Sequence, residues 1–140
     1  MYMIYEFRKI TIIRSRKPIT KDVNQDLQWF SNSLGLFSER DKEKSCFRIF
    51  IELVKSAKNR IPLTSDQIAQ RTHLSRATII HHLAKLMESG IVMHQDNKYI
   101  LKVDNLEQLI DEVKSDLDKS LHELKLIAEE LDEQLGLIKR

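Results

Sequence analysis

Residues 76–88, RATIIHHLAKLME, hold the densest set of groups able to recognise another molecule: Arg76, Thr78, His81 and Lys85, spaced by two, three and four. At 100° per residue, Ala77, His81, Lys85 and Glu88 share one side of a helix, flanked by Thr78 and Ala84. Ile79, Leu83 and Leu86, at steps of four and three, form an aliphatic stripe on the other. The outer groups donate and accept hydrogen bonds, and nothing beside them makes or breaks bonds. The chain has no Gly-rich phosphate loop, no metal-ligand spacing and no nucleophile with an assigned base, so we expect no enzyme activity and no cofactor. A helix that buries one stripe and offers small or polar groups on the other fits a DNA major groove, with Arg76, Thr78 and His81 in its base-facing N-terminal half. The same pattern also fits a plain helical hairpin with a solvated outer face.

The elements that must position these residues are written into LTSDQIAQRTHLSRATIIHHLAKLMESGIV. Thr64 and Gln67 form a capping box, and Leu63 before the cap can staple onto Ile68, which predicts a helix over about 65–71. His73 and Leu74 make a turn, Ser75 caps the second helix, and Ser89-Gly90 ends it, so the pair is a helix-turn-helix. Ile91-Val92-Met93 and Tyr99-Ile100-Leu101 are β-prone runs around a polar Asp96-Asn97 turn. A two-stranded hairpin in this place is a wing. Its tip offers His94, Gln95, Asn97 and Lys98 to phosphates or the minor groove, with Asp96 opposing.

LSRATIIHHLAKLMESGIV, followed by the hairpin, resembles the winged helix-turn-helix transcription regulators, in particular the arsenic-repressor-like (ArsR-like) group, over roughly residues 45–102. The resemblance implies that Ser75, Arg76, Thr78, His81 and Lys85 face DNA, and it matches His82 to the histidine that precedes the buried leucine. One departure concerns metals. Metal-sensing members use paired cysteines and carboxylate-histidine sets, whereas Cys46 stands alone here on an apolar helical face. His81 and His82, being adjacent, point about 100° apart, so no metal site is expected. His73, His94 and His122 are scattered and read as surface or turn residues.

Charge is distributed unevenly. Residues 1–21 carry six Lys/Arg against one acid, and residues 103–140 carry five against eleven. The first part therefore favours a polyanion and the last repels one. Residues 2–13 favour a strand through Met3, Tyr5 and Phe7 alternating with Ile4, Glu6 and Arg8. Pro18 marks a loop in which Arg14, Arg16, Lys17 and Lys21 are possible phosphate contacts, or equally a solvated cluster. A helix from Thr20 or Asp22 to Gly35 follows from Val23, Leu27, Phe30 and Leu34. Ser38 with Asp41 is read as the start of the next, whose apolar set from Cys46 to Ala57 makes it the core helix.

From Asp104, with Glu107 as a capping partner, an apolar row steps by three or four from Leu106 to Ile138. That is one helix of roughly 30 residues, about 45 Å long, with a stutter in Val113, Leu117, Leu121 and Leu124, which include two successive steps of four. Its far end needs a partner, and a second copy is the simplest one.

The expectation is thus a mainly α fold with a small β-hairpin wing, a winged helix-turn-helix plus a long C-terminal helix. Residues 1–21 form an N-terminal strand and basic loop, 22–102 the DNA-binding domain with an extra N-terminal helix, and 103–140 the dimerisation helix. Function follows as a sequence-specific regulator binding double-stranded DNA as a homodimer through residues 104–138, with 76–88 in the major groove and 91–101 as the wing. The expected contacts are Ser75, Arg76, Thr78, His81, Lys85, Gln95, Asn97 and Lys98. The alternative is a protein-interaction module whose C-terminal helix docks a different protein. Glu6, Arg8 and Lys9 interrupt the run a signal peptide needs, and no segment reaches the ~18–20 apolar residues of a membrane span, so a cytoplasmic protein is expected.

Overall fold

The computed structural model describes residues 12–36 and 44–138, in two compact units, Met1–Lys102 and Val103–Arg140. In the first unit α1 (Val23–Ser33) starts at Asp22, whose carboxylate accepts from the Asn24 amide at 3.0 Å. It closes at Leu34 and Gly35, the glycine at φ 68°, where a side chain would be strained. Before it, residues 12–18 carry neither helix nor strand. The strand expected over 2–13 lies almost wholly outside the described residues, as does the expected Ser38–Asp41 cap.

α2 (Ser45–Ala57) buries Cys46, Phe47, Ile49, Phe50 and Leu53. It starts at Ser45, directly after Lys44, which sits in the left-handed region at φ 53°. This helix is the centre of the unit, packing on α3 (Ser65–Thr72), α4 (Arg76–Glu88) and β3 (Lys98–Leu101). Arg48, on its partly exposed side, donates to the Thr72 carbonyl at the end of α3 and so ties the two helices together.

α3 and α4 are bounded where their caps place them. The Thr64 hydroxyl accepts from the Gln67 amide at 3.1 Å, and the Gln67 side chain accepts from the Thr64 amide at 2.9 Å. Leu63 and Ile68, the expected staple pair, are both buried. His73, at φ 57°, ends α3 in a left-handed conformation and redirects the chain into Ser75, the N-cap of α4.

The sheet is larger than the expected hairpin. β1 (Leu63–Thr64) pairs antiparallel with β3, which pairs antiparallel with β2 (Val92–Gln95), in the order β1-β3-β2. Leu63 faces Tyr99 and Thr64 faces Lys98, so the residues that open α3 also anchor the wing. Between β2 and β3, Asp96 and Asn97 take φ of 53° and 63°, both left-handed as a two-residue hairpin loop demands.

In the second unit α5 (Leu106–Leu135) runs for 30 residues without a break. Its cap is Asn105, which accepts from the Gln108 amide at 2.8 Å, rather than the expected Asp104 with Glu107. The Gln108 side chain in turn accepts from the Asp104 amide at 3.1 Å. Gly136, at φ 70°, ends the helix. Among the described residues no helix is long and apolar enough to cross a membrane.

The capping box is the local device that sets the register of α3, and Thr64→Ala should destabilise the first unit by about 1 kcal/mol, with Thr64→Ser close to neutral. Urea unfolding followed by circular dichroism checks this; equal midpoints for wild type and Thr64→Ala would mean that the box contributes nothing.

Candidate nucleic-acid interface

The two faces of α4 are cleanly divided. Ile79, Leu83 and Leu86 are 0% exposed, while Arg76, Ala77, Ile80, His81, Ala84 and Glu88 are exposed and Thr78 and Lys85 are half-buried. His81 is thus open to solvent, and Lys85 is half covered. The stripe points at α2, and the reverse side is available to a ligand as broad as a nucleic-acid groove.

The individual residues differ in how free they are to act. Ser75 accepts from the Thr78 amide at 3.2 Å and shares a hydrogen bond with the Thr78 hydroxyl at 2.8 Å, so both hydroxyls are engaged in starting the helix. The Arg76 guanidinium donates to the carboxylate of Asp66, in the first turn of α3, across the turn of the motif. Both partners are exposed, which makes this a solvent-screened pair that another anion can replace. The rings of His81 and His82 meet edge to face with centroids 5.1 Å apart; His81 is exposed and His82 half-buried.

On the wing, Gln95, Asn97 and Lys98 are all exposed, and Gln95 lies opposite Lys98 across the ladder. His94 behaves differently from its neighbours. It faces Tyr99 across the strands, and the two rings stack with centroids 4.6 Å apart and planes 13° from parallel. Its imidazole, itself exposed, lies over the ring of the buried Tyr99. Arg14, Arg16, Lys17 and Lys21 are exposed in the segment before α1, apart from α4 in the chain, and Trp29 holds that segment by donating to the Ser15 carbonyl at 3.4 Å.

Three features of this surface went unread in the sequence: Asp66 as the partner of Arg76, Tyr99 as the seat of His94, and Ile80 on the exposed side. The first two depend on contacts across elements. The third had a signal, since Ile80 stands 100° from Ile79 and farther still from Leu86, outside the stripe those residues form with Leu83.

Comparison with curated proteins and with solved structures returns no match. One family model does match, that of the bacterial regulatory protein, arsR family, over residues 57–93. The matched segment runs from the end of α2 through α3 and α4 into β2, the part of the chain in which caps, buried stripe and outer face have just been located. The family is one of regulatory DNA-binding domains and not of enzymes. Residues 57–93 are thus similar to the helix-turn-helix of the arsR family of regulatory proteins, and with its three-stranded sheet the first unit has the architecture of a winged helix-turn-helix, a module of DNA-binding transcription regulators.

Proposed function

We propose that the chain is a sequence-specific transcription regulator that binds double-stranded DNA as a homodimer, acting in the cytoplasm. The observation that carries this reading is the division of α4. Its aliphatic stripe is fully buried, and its exposed side presents Arg76, His81 and Lys85 among the small side chains Ala77 and Ala84. In this reading α4 lies in the major groove, where Ser75, Arg76, Thr78, His81 and Lys85 face the DNA and contact base edges on its floor or phosphates along its rim. Gln95, Asn97 and Lys98 contact the backbone from the wing, and Arg14, Arg16, Lys17 and Lys21 add phosphate contacts whose effect declines with salt.

The homodimer rests on α5. From Leu117 to Ile138 every large apolar side chain is exposed, and Leu117, Leu121, Leu124, Leu131 and Leu135 recur at steps of three, four and seven along one face. A second copy laid against that face would bury both stripes and fix the separation of two recognition helices, as two half-sites of a palindrome require. The same exposed stripe supports a second reading, in which α5 docks a different protein and the winged helix is its scaffold.

Duplexes selected from a random pool provide the first check. Arg76→Ala and His81→Ala should each weaken binding of the selected duplex by about fivefold or more; retention of full affinity by both variants would remove α4 from the interface. Because Asp66 competes with phosphate for Arg76, Asp66→Asn should strengthen binding by about two- to fivefold at low salt, and a weakened complex would show instead that the carboxylate orients the arginine productively. Light scattering should give the mass of two chains for the wild type and of one for Leu121→Glu combined with Leu131→Glu. A single-chain mass for the wild type, together with no duplex binding at low salt, would favour the protein-docking reading.

A further inference from the structure

Ile80 is 44% exposed on α4, although the residue before it, Ile79, is completely buried. At 100° per residue it stands on the flank of the outer face, one turn beyond Arg76 and one turn before Ala84, with Ala77 on its other shoulder. Both alanines are exposed and small, so Ile80 is the tallest group on this flank between Arg76 and the end of the helix's first two turns. If α4 enters a major groove as proposed above, a branched aliphatic side chain is carried in among base edges. Those edges consist of hydrogen-bond donors and acceptors except at C5 of the pyrimidines, which carries only a hydrogen in cytosine and a full methyl group in thymine. Placed against any other base edge, Ile80 would strip water from polar atoms and return no hydrogen bond. Placed against that methyl, it buries apolar surface on both sides.

We infer that Ile80 is a specificity-determining residue that selects thymine, through its 5-methyl group, at one position in each half-site, beside the position addressed by Arg76. The inference rests on the reading of α4 as a recognition helix and extends it from which residues touch DNA to which base one of them requires. Arg76 and Ile80 would then read neighbouring positions by different means, the first by hydrogen bonding and the second by apolar contact.

The test uses the full-length protein and the duplex it selects, with each thymine of one half-site replaced in turn by uracil, which pairs identically and lacks only the methyl group. For the wild type, one substitution should weaken binding by about fourfold, the effect of uncovering one methyl-sized group, and the others should have little effect. In Ile80→Ala that thymine should no longer be distinguished from uracil. Ile80→Gln, which can pair with the N6 and N7 edge of adenine, should move the preference at that position from thymine towards adenine. Since Ile80 is exposed, both variants should melt within a few degrees of the wild type, so their readouts report on recognition. The inference is overturned if no thymine responds to loss of its methyl group, or if the response is the same in the wild type and Ile80→Ala. A protein that selects no duplex at all overturns the recognition-helix reading itself, which keeps the two failures apart.

Discussion

Burial of Ile79, Leu83 and Leu86 fixes the rotation of α4 about its own axis, and the character of the exposed surface follows from that angle. Each of these side chains contributes roughly 1.5–3 kcal/mol by leaving water. A turn of 100° in one direction would put Ile80 where Ile79 sits, with Met87 and Ala84 beside it, and expose the leucines; in the other it would bring in Thr78, Lys85 and His82. The first gives up both leucines for smaller or more flexible groups, and the second exchanges aliphatic burial for desolvation of cationic and polar groups, which costs several kcal/mol where no partner waits. The core therefore decides which residues remain on the outside, so substitutions in α2 that deform the seat of the stripe act on the outer face without touching it.

The parts of the fold legible in the sequence are those governed by residues close together along the chain. Thr64 with Gln67 and Ser75 with Thr78 are caps closed within three residues, and they bound α3 and α4 almost to the residue. Asp96-Asn97 declares its turn because few other residue pairs accept two left-handed positions. β1 was not legible, since two residues become a strand only through a partner more than thirty positions away, and Leu63-Thr64 already had a sufficient role as staple and cap. The cap of α5 was misplaced by one residue because Asp104 and Asn105 are both good cap residues, and only the Asn105 bond to the Gln108 amide distinguishes them. Among the candidate contacts, the helical period put His81 and Lys85 on the side away from the stripe, where His81 is exposed and Lys85 half-buried. It could not reveal that Ser75 and Thr78 satisfy each other, or that Ile80 stands on the flank.

α5 presents a different balance. A 30-residue helix with its leucines in water gains little from packing within one chain, and helix propensity alone supports such a length only marginally. Its acidic groups, among them Asp111, Asp116, Asp118, Glu129, Glu130 and Asp132, keep the polar side solvated and oppose approach to a polyanion. A second α5 would cover the leucines without bringing those acids near phosphate. For a symmetric partner, moreover, one surface has only to complement itself. This is the physical argument for a second copy over an unrelated protein, and it is independent of the chemistry of α4.

The link between Asp66 and Arg76 joins these considerations at the level of energetics. An exposed ion pair contributes only about 0–1 kcal/mol, too little to hold α3 and α4 in place; the Arg48 bond to Thr72 and the packing on α2 are better suited to that. What the pair does accomplish is to restrict a long, flexible side chain, which otherwise loses on the order of 2 kcal/mol of rotamer freedom when it is ordered by a ligand. Part of that ordering is already complete before any contact with an anion. Since both groups are solvated, exchange of the Asp66 carboxylate for a phosphate or a guanine edge requires no burial of a stranded charge beyond the aspartate's own return to water. Arg76 is therefore lightly held and replaceable in its partner, so an anion that approaches it has only to outcompete an exposed carboxylate.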